Sequence, residues 1–177
     1  MLSEFSFALG QIIPHIPGPL TAGNRLSYLF RSLLLSKENI LTEEDEAILA
    51  KQHWLKDHRF CVYCIRFPQS SNSLYRLQNC QHQLASCFPY AYLLAEHDCL
   101  YMIYNLSLDS RYRRKEIVSL ILANLCNNSP IVGIGNAYRG IEKTFVSRRQ
   151  AELAIDIGTI INQKQDSYDY DNVFLYH

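Results

Sequence analysis

The sequence has no excess of charge of either sign. Its 177 residues include 17 Lys and Arg against 17 Asp and Glu, so the formal net charge is zero. A nucleic-acid-binding surface usually requires a basic excess, because neutralisation of phosphates supplies much of the affinity. The balance therefore argues against DNA binding by this chain on its own.

Signals for membrane insertion and secretion are missing too. No apolar stretch approaches the roughly 18 residues that a membrane span requires. Met1 is not followed by the basic, apolar and small-residue series of a signal peptide. The six cysteines lie inside apolar segments instead of framing short loops, as reduced core residues do. We therefore expect a cytoplasmic protein without a membrane partner.

The sequence also lacks the common catalytic and metal-binding motifs. It contains no Gly-Lys-Ser/Thr, no G-x-S-x-G and no H-E-x-x-H. Cys61 and Cys64 form a C-x-x-C, but on a strand they point to opposite faces, and no second pair follows at zinc-site spacing. We therefore expect no catalytic residue, no metal and no cofactor.

The first part of the chain has helical patterns. Prolines and glycines make an arm or linker of residues 1–23. Asn24 is suited to cap a first helix, and Thr42 a second, acidic one that runs to about Trp54. The apolar residues that recur at three- and four-residue steps in the first helix are Leu26, Leu29, Phe30, Leu33 and Leu34. We assign residues 1–57 to an arm and helical lead-in, and 58–177 to the main domain.

From residue 59 the pattern becomes that of an α/β protein. The run FCVYCIRF is β-branched and aromatic, which predicts a buried strand that ends at Pro68. A helix follows from Ser73. Two apolar runs, Tyr90 to Ala95 and Cys99 to Tyr104, are separated by a short polar connection and predict an antiparallel hairpin.

The remaining elements complete a recognisable order. Asp109 or Ser110 is suited to cap another helix, and Asn172 to His177 has the pattern of a strand that follows a polar loop at 163–170. The order after residue 58 is therefore strand, helix, strand, strand, helix, strand, helix, strand. Its first six elements have the βαββαβ order of ferredoxin-like sheets.

The stretch PIVGIGNAYRGIEKTFVSRRQAELAIDIG, residues 130–158, is the most informative one. A strand ends in Gly133 and Gly135, and a polar turn with Gly140 leads into a helix. A dinucleotide fingerprint would place its third glycine three residues after the second, whereas here the separation is five, so the glycines are better explained as shaping a turn. One stripe of the helix carries only small residues, which are Ser147, Ala151, Ala154 and Gly158. We expect this stripe to bring the helix backbone close to the sheet.

This stretch resembles the closing signature of the GGDEF-like domain in bacterial transcriptional regulators of the purine catabolism regulator (PucR) and sugar diacid regulator (CdaR) type. The likeness lies in the glycine pair after a strand, the polar turn with glycine and the helix bearing Ser and Ala. It extends to SYLFRSLLLS, the acidic helix and FCVYCIRF. The resemblance implies a degenerate GGDEF-like sandwich of helices on a mainly antiparallel sheet. Asn136 and Ala137 depart from the family, in which an Arg-Pro or similar pair is common.

The family's comparison with diguanylate cyclases raises an alternative function, a nucleotide-handling enzyme. Such a cyclase needs a glycine-rich acidic turn at the hairpin and a metal-binding Asp at the end of the first strand. Here the hairpin has no glycine, and no Asp or Glu occurs from His58 to Ala95. The resemblance therefore implies a catalytically silent regulatory domain for signal transduction, with Glu96 and Asp98 as turn residues.

The resemblance also implies partners. Full-length relatives carry a helix-turn-helix module, which nothing after His177 supplies, so we expect contact with DNA only through a module absent from this chain. The chain is then a fragment of a regulator or a regulator-like protein without its reader. We expect a homodimer, for which an apolar face of Leu26, Phe30 and Leu33 is one candidate surface.

A small-molecule effector is the remaining expectation. Asn136, Tyr138 and Arg139 lie in the polar turn before the closing helix, and they are the candidate ligand-binding residues. An ordinary exposed loop is the alternative interpretation of these three. A small-metabolite sensor domain is accordingly a further candidate function.

Overall fold

A computed structural model of the protein describes residues 22–38, 40–68, 73–109, 111–161 and 165–174. These ranges contain six helices and six strands, with short 3-10 turns at Cys126–Asn128 and Ile141–Lys143. The helices are α1 (Ala22–Leu35), α2 (Glu43–Lys51), α3 (Ser73–Cys87), α4 (Arg114–Asn124), α5 (Thr144–Ile161) and α6 (Tyr170–Phe174). The strands are β1 (Arg59–Arg66), β2 (Ala91–Glu96), β3 (Cys99–Asn105), β4 (Ile131–Ile134), β5 (Tyr138–Arg139) and β6 (Ser167–Asp169).

The strands form one six-stranded sheet in the order β2-β3-β1-β4-β6, and β5 also pairs with β1. All pairings are antiparallel except the parallel pairing of β4 with β6. This mixed arrangement confirms the α/β class. Strand β1 lies at the centre, which explains its uninterrupted apolar run: all its residues from Phe60 to Ile65 are at most 1% exposed.

Helices cover both faces of the sheet. One face carries Cys61, Tyr63 and Ile65 of β1 and packs against α3 and α4. The other carries Phe60, Val62 and Cys64, and packs against α1 and α5. The alternation along β1 therefore divides the interior into two apolar layers, one on each side of the sheet.

The predicted close approach of α5 to the sheet is confirmed. Gly133 lies against the backbone of Ala151, and Gly135 lies against the backbone of Ser147, so that neither position has room for a Cβ. Gly158, further along the same stripe, is covered by the ring of Tyr168. All four small residues of the stripe are buried.

The helical lead-in is partly as predicted. Thr42 caps α2 in a capping box with Asp45, as expected, but α2 ends at Lys51 instead of Trp54. The predicted N-cap at Asn24 is wrong, because α1 begins by Ala22 and Asn24 lies inside it. Residues 1–21 of the predicted arm lie outside the described residues, and the division at residue 57 stays a prediction.

The dimer surface proposed for α1 is wrong. Phe30 and Leu33 are 3% and 1% exposed, because they pack on the sheet within the chain itself. Phe30 stacks on Tyr92 of β2 with ring centroids 4.1 Å apart and meets Trp54 edge-on at 4.8 Å. The apolar stripe of α1 therefore packs into the core of its own chain.

The start of α4 differs from the prediction. Asp109 is not its cap: the carboxylate accepts hydrogen bonds from the Tyr104 hydroxyl and from Arg111, and the helix begins at Arg114. The Arg113 N–H donates to the Glu116 carboxylate at 2.7 Å instead. Ser110, the other predicted cap, lies outside the described residues.

The strand predicted for 172–177 is wrong for residues 172–174, which lie in a helix. The last described strand is β6, inside the predicted polar loop, and Asn172 belongs to α6; residues 175–177 lie outside the described ranges. Strand β6 forms there because Tyr168 is buried against Gly158 while its neighbours pair with β4. None of the described helices is long and apolar enough to cross a membrane.

Candidate functional site

Both acidic residues at the hairpin turn between β2 and β3 make contacts within the chain. The Glu96 carboxylate forms an ion pair with Arg31 of α1 at 2.8 Å. The Asp98 carbonyl accepts the N–H of Phe67, and its carboxylate accepts the Cys99 thiol at 3.4 Å. Within the described ranges, no three His, Cys, Asp or Glu side chains come close enough to hold a metal ion.

The end of β1 beside this turn carries a cation. Arg66 pairs with Cys99 across the strands, and its guanidinium binds the Asp156 carboxylate of α5 at 2.7 Å. A guanidinium there repels a divalent cation.

The turn that follows β4 brings two of the three sequence candidates together. Gln150 of α5 accepts the Asn136 N–H at 3.0 Å and donates to the Tyr138 hydroxyl at 2.8 Å. Arg139 is exposed and points elsewhere, since its Nε donates to the Asp57 carbonyl at 3.1 Å. The structure therefore joins Asn136 to Tyr138 but separates both from the Arg139 guanidinium.

A larger concavity lies between α4 and the segment that contains β6 and α6. It is an open cleft of about 1080 Å³ with an apolar floor at Ile134 of β4. Its main wall is one stripe of α4 at positions 115, 118, 119 and 122. The lining residues are Lys115, Val118, Ser119, Leu122, Ile134, Gly158, Ile161, Gln165, Asp166, Ser167, Tyr168, Asp169, Asn172 and Val173.

Arg114 binds Asp169, one of the polar residues that line this cleft. Its Nη2 donates to the Gly135 carbonyl at 2.8 Å and to the Asp169 carboxylate at 3.2 Å, and its Nη1 lies 3.9 Å from Asp171. The side chain thus connects α4, the end of β4 and β6. Asp169 is held in the cleft lining by this contact.

Three buried polar atoms near the end of β4 have no hydrogen-bond partner among the described residues. They are the Tyr63 hydroxyl, Arg114 Nε and Asn136 Oδ1. Burial raises the pKa of Tyr63 well above its ordinary value, so its hydroxyl stays a neutral donor. Polar groups left in this way are costly in a core and concentrate at sites that bind water or a ligand.

No motif in the sequence indicates the cleft. The signal that could have indicated it is the width of the α4 stripe, because Val118 and Leu122 extend beyond the line of Ile117, Ile121 and Leu125. The other wall depends on β6, which the sequence pattern placed in a loop.

Comparison with models of known protein families finds no match, and comparison with curated proteins finds none either.

Proposed function

We propose that the chain is a non-catalytic regulatory and dimerisation domain of a PucR- or CdaR-type bacterial transcriptional regulator, with a GGDEF-like, ferredoxin-like fold. The proposal rests on the part that residues 130–158 play in packing the closing helix on the sheet. The residues on which the resemblance rests, the glycine pair and the small-residue helix stripe, are those that seat α5 on β4. DNA would be contacted through a separate helix-turn-helix module.

The topology supports the same proposal. The first four strands lie in the order β2-β3-β1-β4, all antiparallel, and the connecting helices α3 and α4 share one face. A βαββαβ chain of the ferredoxin-like type gives this arrangement.

The side chains at the position where a cyclase would have its catalytic centre support a non-catalytic function. Arg66 and Asp156 form an ion pair at the end of the first strand, and Arg31 holds Glu96 at the turn. Two metal ions that neutralise a triphosphate need carboxylates free to bind them. Here Asp156 and Glu96 neutralise arginines of the chain instead.

The test is incubation with GTP and Mg²⁺ or Mn²⁺, followed by chromatography of the nucleotides. We expect no cyclic dinucleotide. Formation of product by the wild-type protein that Asp98→Asn abolishes would contradict the proposal. Asp57→Asn, which changes an exposed acid away from the hairpin, is the matched control.

The cleft favours a second candidate, a small-metabolite sensor. It offers an apolar wall from Val118 and Leu122 together with the ammonium group of Lys115 and the carboxylate of Asp169. An apolar recess with a few polar groups is the usual composition of a small-molecule site. A ligand bound there would contact α4, α5 and β6 together and so stabilise their arrangement.

A thermal-shift screen with purine and sugar-acid metabolites tests the sensor. We expect a hit to be lost in Ser119→Trp, since Ser119 is exposed on the cleft wall and an indole there would fill the recess. Arg139→Ala is the control for the turn after β4. A hit that Arg139→Ala abolishes and Ser119→Trp leaves unchanged would place binding at the turn instead.

A further inference from the structure

Strand β2 is an edge of the sheet and lacks several of the usual edge protections. Its six residues, AYLLAE, pair with β3 in unbroken register and have no described partner strand on the other side. Natural edges are commonly blunted by lysine, proline, a bulge or short length. Strand β2 has none of these, and its only charged side chain, Glu96, is paired with Arg31 at the end of the strand. The opposite edge, β6, has only three residues.

The outward backbone groups of β2 follow from its register. The Asn105 N–H donates to the Tyr90 carbonyl, so positions 92, 94 and 96 make the hydrogen bonds to β3 and positions 91, 93 and 95 point away from it. Two of the outward groups are used locally: the Ala91 N–H binds the Phe88 carbonyl, and the Gln81 amide donates to the Leu93 carbonyl. The N–H groups of Leu93 and Ala95 have no partner among the described residues.

We propose that β2 is a homodimerisation edge, on which a second copy of this chain adds its own β2 in antiparallel orientation about a two-fold axis at Leu93. This rests on the self-association proposed above and specifies its surface. Each Leu93 N–H then donates to the Leu93 carbonyl of the other copy, which retains a second lone pair beside its bond to Gln81. Each Ala95 N–H donates to the Ala91 carbonyl of the other copy.

The side chains suit this antiparallel pairing with a second copy. With the two-fold axis at Leu93, Glu96 lies opposite Tyr90 of the other copy. The two Glu96 carboxylates are therefore at opposite ends of the paired strands. Tyr90 is 39% exposed and can bring its hydroxyl to that carboxylate. Tyr92 and Leu94, which are partly buried, lie on the same face between them and supply apolar contact across the axis.

Ala95→Pro tests the edge in the full chain. Proline removes an N–H that makes no bond to β3, so the sheet within one copy is retained while one bond to the other copy is lost on each side of the axis. Sedimentation over a concentration series should show wild-type dimers whose dissociation constant rises about tenfold or more in Ala95→Pro. Ala95→Thr, which keeps the N–H and favours strand structure, is the matched control and should dimerise like wild type.

Hydrogen exchange of the wild-type protein gives a second, mutation-free measurement. The amides of Leu93 and Ala95 should become more protected as the protein concentration rises, and this decides the matter if Ala95→Pro does not fold. Dimers that Ala95→Pro leaves unchanged would overturn the edge while keeping the proposed self-association. A wild-type protein that stays monomeric would overturn both, and concentration-independent protection of the two amides in that monomer would show that the chain covers its own edge.

Discussion

Gly133 shows, at the scale of single residues, how a missing side chain sets the distance between a helix and a sheet. A Cβ at this position would overlap the carbonyl oxygen of Ala151 and lie 2.8 Å from Ile155 Cγ1. The first neighbour is backbone, so no side-chain rotation can relieve the overlap. The helix itself would have to move away from β4.

We therefore expect Gly133→Ala to lower the free energy of unfolding by about 2–3 kcal/mol, the usual cost of overpacking. Urea unfolding followed by circular dichroism measures it. At an uncrowded site that suits alanine, the same substitution raises stability by roughly 0.4–1 kcal/mol, because the unfolded chain loses freedom. A stabilised variant would therefore show that α5 does not lie this close to the sheet.

Asp109 should make the stability of the protein depend on pH in the acid range. Its side chain is 2% exposed, and hydrogen bonds from the Arg111 guanidinium hold its pKa well below the ordinary value, with help from the Tyr104 hydroxyl and against the effect of burial. A carboxyl whose pKa is lowered by folding stabilises the protein at every pH above its unfolded pKa. That stabilisation is lost as the pH falls through the folded pKa.

We expect Asp109→Asn to destabilise the protein by about 1–3 kcal/mol at pH 7, because it weakens a buried, charge-assisted hydrogen-bond group. The difference from wild type should shrink as the pH falls below about 4, where the unfolded carboxyl takes up a proton. Thermal unfolding at a series of pH values measures this. An equal deficit at pH 7 and at the lowest pH would argue that the carboxylate is not held as described.

At the scale of elements, Ser147 ties α5 to the rest of the molecule. Its hydroxyl accepts the Val62 N–H of β1 at 2.9 Å and donates to the Asn136 carbonyl at 2.8 Å. Ser147 is 1% exposed and Val62 is fully buried, so the Val62 N–H has no water as a replacement partner. One hydroxyl thus connects the central strand, the turn after β4 and the closing helix.

Ser147→Ala should lower the free energy of unfolding by about 1–3 kcal/mol, because the buried Val62 N–H loses its partner and the partly buried Asn136 carbonyl loses a donor. Ser119→Ala is the matched control: its hydroxyl is exposed and bonds only to the Lys115 carbonyl one turn back on α4. We expect that variant to remain within about 0.5 kcal/mol of wild type. Equal effects of the two substitutions in denaturant unfolding would contradict the role given to Ser147.

The accessibility of the six cysteine thiols reflects how the whole molecule is packed. Cys126 is exposed and Cys87 is half-buried, whereas Cys61, Cys64, Cys80 and Cys99 are buried and every cysteine is a free thiol. Burial raises the pKa of Cys61 to about 11, which lowers the thiolate fraction further. Reactivity towards a thiol reagent therefore reflects how much of the fold opens.

In native conditions we expect rapid labelling of Cys126, slower labelling of Cys87, and labelling of the four buried thiols only as fast as the core opens. Mass spectrometry over time resolves these classes, and Cys126→Ser should remove the rapid one. Uniform fast labelling of all six would contradict the two packed layers.

Much of the element pattern is readable from the sequence. The run FCVYCIRF predicts a strand buried on both faces, and Thr42 with its acids predicts the start of α2; both are confirmed. The stripe of small residues on α5 predicts close packing, because only small side chains allow two backbones to approach. These features depend on residues that are close together in the sequence, so the local sequence pattern is enough to predict them.

Tertiary contacts decided the rest. Ser167 to Asp169 become a strand because β4 offers an edge and Gly158 makes room for Tyr168. Asp109 is a different case, because the residues that bind its carboxylate, Tyr104 and Arg111, are close to it in the sequence. The cleft and the open edge of β2 depend on where the helices and strands end relative to one another in the folded chain. Sequence periodicity determined which faces of the elements are apolar, but only the packed sheet determined which of those faces stay uncovered, because that depends on pairings between segments far apart in the chain.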